Sequence, residues 1–531
     1  KGYKVAICEQ MEDPALATGL VERDITRIIT PGTVIAASML EEGKNNFLCA
    51  IYADSAAYGL CLCDISTGEV FATSLSAAED AMDHLKNELG RFHPTEVILS
   101  DGAWQLDGLV DFLRERLDCL CENGGEARFR YDVSLSAVKK QFTAGLDTLP
   151  EGDTAAVQAA GGLLSYLYET QKTDLSHISV FSYYTAGHFM ELDLTARQTL
   201  ELTATMRAQE KKGSLLWVLD KTRTAMGGRL LRGWMERPLL SPVQIARRQQ
   251  AVADLVEDII TREELTLVLK EVTDLERLMG RVVYGTAGGR DLVALAGGLS
   301  RLPRIRQLIS PCSSALLRTL HEQLDDLPEL TGLIQSAFVD APPFSVREGK
   351  FIRRGYNEEV DRLWNLIENS TDVLAEMEAR VKAETGIKNM RIRFNKVFGY
   401  YIEVAKAQID LVPQDWTRKQ TTVNAERYIS QELKELEHTI LSAQDKVVAL
   451  EYQLFSQIRE QVCAQVAAIQ RSAAAAAQVD VLNSLATVAA ANNYCMPLVD
   501  SSNVIQITEG RHPVVEKVLK GGLFVANDTH M

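Results

Sequence analysis

Met390-Arg391-Ile392-Arg393-Phe394-Asn395-Lys396-Val397-Phe398-Gly399-Tyr400-Tyr401-Ile402-Glu403-Val404 interrupts two long helical patterns, and reading it decides the fold. Its β-branched and aromatic residues favour strands, with Gly399 as a bend. On its N-terminal side, Val360, Leu363, Ile367, Ser370, Leu374, Met377 and Val381 keep a heptad register. A helix over 355–386 would be about 48 Å long. On its C-terminal side, Leu433, Leu436, Ile440, Ala443, Val447, Leu450 and Leu454 repeat the pattern. That run stutters at Ile458 and resumes through Val462, Val466 and Ile469, which predicts one helix from Ser430 to Arg471. Two such helices of opposite direction make an antiparallel arm with a small β tip.

Outward from the arm the chain changes character twice. Val5 to Ile7 and Asp24 to Ile29 read as strands, the second stopped by Pro31-Gly32. Three apolar runs follow (Phe47–Tyr52, Tyr58–Cys63, Val70–Thr73), separated by turn residues. A helix over Ala77–Phe92, a strand over Glu96–Leu99 and a helix around Trp104–Leu117 complete a β-β-β-α-β order. That order predicts an α/β domain. From Asp153 the pattern is helical, punctuated by Pro238, Pro242, Pro303, Pro311, Pro328 and Pro342-Pro343.

Composition sets outer limits. The 531 residues are 46% hydrophobic and 24% charged, which argues against a disordered chain. Charges interrupt the apolar stretches, so no membrane span of about 18 residues is expected. Nine cysteines without a Cys-x-x-Cys pair suit an intracellular protein. Cys61/Cys63 and Cys119/Cys121 have no complementary ligand pair, so buried thiols are expected rather than zinc ligands. The opening at Lys1 and the close at Met531 both read as cuts in a longer sequence.

The net charge of −16 is poor material for binding nucleic acid, because Lys and Arg make the phosphate contacts. The arm's tip is the exception. Between Lys388 and Tyr428, eight basic residues face four acids, for a local charge of +4. Asn395, Gln420, Thr421, Thr422 and Asn424 add neutral donors. Phosphates are satisfied by this mix of donors, with little dependence on base sequence. A coiled-coil structural or protein-interaction scaffold without enzymatic activity is the alternative reading of the same helices.

Arg393 to Tyr401, with Arg418-Lys419-Gln420-Thr421 and Asn424-Ala425-Glu426-Arg427-Tyr428, resembles the clamp of the MutS family of DNA mismatch repair proteins. Further similarities follow in the family's order. Ala6-Ile7-Cys8-Glu9-Gln10, Val21-Glu22-Arg23 and Thr30-Pro31-Gly32-Thr33 resemble the end of its mismatch-recognition domain, and Asp64-Ile65-Ser66-Thr67-Gly68 its connector. Leu219-Asp220, Met226-Gly227, Arg229-Leu230-Leu231 and Trp234 resemble its core, and Gly355-Tyr356-Asn357-Glu358-Glu359 the start of its arm. Thr508-Glu509-Gly510-Arg511-His512-Pro513 resembles the beginning of its ATPase domain.

The resemblance implies a multidomain α/β plus mainly α fold: a ribonuclease-H-like connector, a helical core and lever with long antiparallel helices, and a small β clamp inserted at the arm tip. The implied segments are 1–38 (end of the mismatch-recognition domain), 39–172 (connector), 173–387 and 430–500 (core and lever), 388–429 (clamp) and 501–531 (start of the ATPase domain). It implies DNA mismatch recognition in mismatch repair, with ATP-dependent sliding-clamp behaviour in the full-length protein. Arg23, Arg393, Lys396, Arg418, Lys419 and Asn424 would contact DNA, and Phe524 and Val525 would pack on an adenine ring. ATP and Mg would serve the full-length protein. Its partners would be duplex DNA with mismatches or small loops, a second copy, and downstream proteins such as MutL, in the bacterial cytoplasm at the nucleoid and with no membrane. The family's Phe-x-Glu lesion probe would precede Lys1. No Gly-x-x-x-x-Gly-Lys-Ser/Thr loop occurs in the sequence, so this chain is expected not to hydrolyse ATP. Asp64 and Asp54 could be imagined as metal carboxylates, but Ser66-Thr67-Gly68 is already explained as a hairpin turn.

Overall fold

The apolar runs of the N-terminal third form a ribbon and a sheet. Val5–Gln10 (β1) and Arg23–Ile29 (β2) pair antiparallel, from Val5 opposite Ile29 to Gln10 opposite Arg23. Leu48–Ala53 (β3), Ala57–Asp64 (β4), Glu69–Ser76 (β5), Glu96–Leu99 (β6), Leu120–Asn123 (β7) and Ser182–Tyr183 (β8) form a sheet ordered β7-β6-β3-β4-β5-β8. The first three strands are a meander, and β6 and β7 add in parallel beyond β3. Both faces are covered, which explains the nearly continuous apolar character of β3 and β4. Ala50, Cys61 and Cys63 lie in the core with residues of helix Thr154–Gln171. Cys49, Ile51, Leu60 and Leu62 lie in the other, with residues of helix Ala81–Phe92. Cys61 and Cys63 thus share a buried face, and none of the nine cysteines is in a disulfide. The helix expected around Trp104–Leu117 is instead three short pieces, Asp101–Trp104, Leu109–Asp111 and Phe112–Arg116.

The structure is a computed structural model that describes residues 3–11, 21–395, 399–519 and 524–531. It divides into a first unit (Lys1–Ala287, Ala294–Thr331, Val462–Met531) and a second (Gly288–Val293, Gly332–Gln461). In the first, Glu96 fastens the Thr30–Thr33 turn to the sheet. Its fully buried carboxylate accepts from the Thr30 hydroxyl, the Gly32 N–H (3.0 Å) and the Tyr166 hydroxyl (2.6 Å). Asp64 is equally occupied, accepting from Asn45, the Asn46 N–H and both the N–H and hydroxyl of Ser66 at 2.7–3.0 Å. Asp54 accepts from the Ala56 and Ala57 N–H groups and from Tyr52. Both aspartates therefore build turns.

The helical part of the first unit packs around Val466–Asn492. By length and composition alone this helix could cross a membrane, contrary to the expectation that charges break every such stretch. Two thirds of its most apolar window is buried within the protein. Its one deeply buried acid, Asp480, accepts from the Arg223 and Thr224 N–H groups (2.9 and 2.8 Å) and the Thr224 hydroxyl (2.7 Å), holding the start of helix Ala225–Glu236. Burial pushes the Asp480 carboxyl up to about 6 despite these bonds. The fold therefore favours its neutral form. That contribution is complete below the ordinary aspartate value near 3.8 and is lost as pH rises through 6. The swing is about 3 kcal/mol. In urea unfolding between pH 4 and 7, Asp480→Asn should lack this component of the pH dependence; an unchanged profile would refute the assignment.

In the second unit, Glu358–Thr385 runs outbound and Gln431–Ala464 returns. Asn357 caps the first, its side chain accepting from the Glu359 and Val360 N–H groups. Near its start Trp364 donates to Glu451 (3.2 Å), and near its end Arg380 pairs with Glu432, so the two helices lie antiparallel. Val360, Leu363, Ser370, Met377 and Val381 are buried as the heptad required. The return is not one helix to Arg471: it ends at Ala464, Gln465 leaves helical geometry (ψ 12°), and a new helix starts at Val466. The stutter marks the shift. Beyond Leu454 the buried positions become Phe455, Ile458 and Val462. Phe455 closes edge-on against Phe338 and Phe351 at 6.2 and 6.1 Å.

Candidate nucleic-acid interface

The tip is a four-stranded antiparallel sheet, Met390–Asn395 (β9), Gly399–Ala405 (β10), Thr417–Thr421 (β11) and Ala425–Ile429 (β12), ordered β11-β12-β10-β9. Its two faces differ in chemistry. Met390, Ile402, Val404 and Tyr428 join Met377 and Val381 of the outbound helix and Leu433 of the return helix in one core. Gly399, at φ +74°, begins β10 against the return helix. A Cβ there would sit 1.7 Å from the Glu437 carboxylate, which accepts from the Tyr400 N–H.

The opposite face carries arginines. Arg393 faces Tyr401 across β9/β10, and Glu403 faces Arg391 on one side and Arg427 on the other. Glu403 lies 3.7 Å from Arg393 and 3.5 Å from Arg427, whose guanidinium also stands 4.6 Å from the Tyr401 ring centre. One acid thus orients two cations and leaves the face positive. Arg391 and Arg427 share it, although neither stands among the candidate contacts read from the sequence. The period-two alternation of 391, 393, 401 and 403 was the signal for the face.

β11 is an edge strand, and all five of its residues are exposed. Its register slips between Arg418, opposite Tyr428, and Gln420, opposite Arg427, so Lys419 is the extra residue of a bulge. A charged, bulged edge resists pairing with another strand and turns its side chain outward. Lys419 has no ion pair or hydrogen bond among the described residues. Arg418 is held instead by Glu426 (3.4 Å), which also accepts from Thr421 (3.3 Å) and Tyr428. Tyr428 and Arg418 keep the Glu426 carboxyl below the ordinary range, and burial with Glu426 pushes the Tyr428 hydroxyl up to about 12. Asn424 is exposed in the turn before β12, where its carbonyl accepts from the Lys406 N–H.

The sheet therefore gathers Arg393, Arg418, Lys419 and Asn424; Lys396 lies outside the described residues. Arg23, Phe524 and Val525 belong to the first unit. Arg23 is exposed at the end of the β1–β2 ribbon, two residues before Ile25, whose carbonyl accepts from Lys172 (2.8 Å). Phe524 is half-buried and Val525 is 76% exposed, just before Asn527–His530 (β14), which pairs with Gln506–Gly510 (β13). The pair offers an apolar face of the kind a purine ring uses. No group of His, Cys, Asp or Glu suited to a metal occurs among the described residues.

A mixed-sheet unit with a helical body, and a helix pair ending in a basic β tip, make this a multidomain α/β protein. Family profiles match along it: MutS domain I at residues 1–38, MutS domain II at 46–179 and MutS domain III at 195–486. The chain belongs to the MutS family. It is 45% identical over 529 residues to the DNA mismatch repair protein MutS of Ruminiclostridium cellulolyticum, covering 100% of this chain and 60% of that protein. It is 43% identical over 533 residues to that of Lachnoclostridium phytofermentans (100% and 57%), and 44% identical over 530 residues to that of Symbiobacterium thermophilum (99% and 60%). The chain spans about three fifths of the length of these curated relatives.

Proposed function

We propose that the chain holds duplex DNA by its phosphates as part of a mismatch-recognition and repair protein. The exposed, bulged and basic edge strand β11 at the end of two paired helices is the observation that carries this reading. In it, Arg393, Lys396, Arg418, Lys419 and Asn424 are backbone contacts of a clamp spanning 388–429, and Arg23 is a contact of segment 1–38. The sheet of segment 39–172 serves as a ribonuclease-H-like connector; its meander followed by parallel strands supports that assignment. Segments 173–387 and 430–500 act as core and lever, and 501–531 begins an ATPase domain in which Phe524 and Val525 meet the adenine ring.

Family membership supports the wider cycle. A homodimer in the bacterial cytoplasm would encircle DNA carrying mismatches or small loops, use ATP with Mg, and engage downstream proteins such as MutL. Coupling requires ATP to bind the lever's arrangements with different affinities. Phosphates give position without base identity, so the tip itself holds matched and mismatched duplexes alike. The test reverses the edge strand's charge. Arg418→Glu with Lys419→Glu should reduce duplex binding by the chain at least about tenfold, since each charge-assisted hydrogen bond contributes about 1.5–3 kcal/mol. Undiminished binding by a folded double variant would defeat the proposal.

A further inference from the structure

Within the first unit, a cavity of about 1300 Å³ opens where the connector sheet meets the first core helices. Its wall includes Arg197 from helix Leu194–Thr199, Arg232 and Glu236 from helix Ala225–Glu236, and Arg237 directly after that helix. Pro238 follows and cannot continue the helix.

These arginines are poorly matched by acids. Arg197 spends its Nε–H on the Leu192 carbonyl (2.9 Å), while both of its Nη atoms are buried without a hydrogen-bond partner. Arg237 has no ion pair among the described residues. Its guanidinium instead stands over Phe71 (4.5 Å) and Phe92 (5.3 Å). Glu236 lies 3.8 Å from Arg232 and acts through space on Arg197 and Arg237 as well. Of the wall's other acids, Glu276 pairs with Arg229, Asp220 with Lys211 and Glu41 with Lys44, while Glu69 accepts from Asn45 and acts on Arg237 only through space. Burial, and then the neighbouring Arg91, lowers Arg197, while burial pushes Glu236 up.

A buried donor without a partner destabilises the fold, and more so when charged. Over the whole wall, eight Lys and Arg side chains face six carboxylates, an excess of two positive charges. Paired Nη–H groups match two oxygens of one oxyanion, and guanidinium suits phosphate in particular. We propose that this cavity binds a small phosphorylated dianion or polyanion, held chiefly by Arg197 and Arg237. A monocarboxylate would leave the excess half balanced. Free phosphates and a nucleotide's phosphates share this chemistry; aromatic rings beside Arg237 leave room to distinguish them by affinity.

The probe is pyrophosphate, titrated calorimetrically into the chain at ionic strength held constant with NaCl, alongside ADP. Saturable 1:1 binding is expected, with a melting temperature that climbs with the logarithm of pyrophosphate concentration. ADP binding equal to pyrophosphate assigns a phosphate site; ADP binding at least about tenfold tighter assigns a nucleotide site. Arg197→Gln with Arg237→Gln should weaken binding at least about tenfold. Glu236→Gln should tighten it, which keeps the test decisive if the double variant does not fold. A pyrophosphate response no larger than that to NaCl, undiminished binding by the double variant, or weaker binding by Glu236→Gln would overturn the proposal.

Discussion

Raising salt from about 50 to about 200 mM should weaken duplex binding by this chain on the order of 10²-fold. The magnitude follows from the four cations assigned to phosphates, Arg393, Lys396, Arg418 and Lys419. Each neutralised phosphate of B-DNA releases condensed counterions and contributes about −0.9 to the slope of log affinity against log salt, so four give about −3.6. The whole-chain charge of −16 works in the opposite direction, because its repulsion of DNA is strongest at low salt and is screened as salt rises. Lys419→Ala isolates one contact. Its side chain stands on a bulge with no partner among the described residues, so its removal leaves no acid stranded. The slope should become shallower by about 0.9, and matched and mismatched duplexes should lose affinity equally. A salt-insensitive affinity, or a loss confined to one duplex, would remove the tip from the phosphate backbone.

Glu96→Ala should cost about 3–5 kcal/mol of stability in the first unit, read by urea unfolding. Glu96 is fully buried and collects the Thr30 hydroxyl, the Gly32 N–H and the Tyr166 hydroxyl, with the Lys4 ammonium 4.0 Å away. Truncation removes the shared acceptor and leaves buried donors without one, each costing about 1–3 kcal/mol. Thr30 and Thr33 can still bond each other, which limits the loss at that turn. Glu96→Gln keeps an acceptor oxygen but puts an amide donor among donors, so it should recover only part of the stability. A change below about 1 kcal/mol for the alanine variant would show that the Thr30–Thr33 turn is held by packing alone.

Much of this architecture was legible because short-range periodicity carries it. The heptad from Val360 to Val381 and the paired run from Leu433 specified an antiparallel arm, since only one stripe of each helix is apolar. Strand-forming residues between them specified a β tip. What the sequence obscured was mostly a matter of partners distant in the chain. Ser182–Tyr183 joins the sheet although two residues carry no pattern of their own, because β5 offers them an edge. The stutter at Ile458 was visible, yet heptad continuity through Ile469 argued for one unbroken helix, and the break falls later, at Gln465.

The same division holds at the candidate site. By itself the sequence determined that positive charge concentrates at 388–428 while the rest of the chain is acidic, because net charge over a segment needs no coordinates. It also determined, through its similarity to one family, which residues to ask about. Only the tertiary structure decided that Lys419 is a bulge residue on an open edge, that Glu403 orients Arg393 and Arg427, and that Arg197 and Arg237 form no ion pair among the described residues. Register, edge position and charge pairing depend on what lies across a strand or a cavity. Those neighbours are set by packing between segments far apart in the chain, a relation that local sequence does not encode.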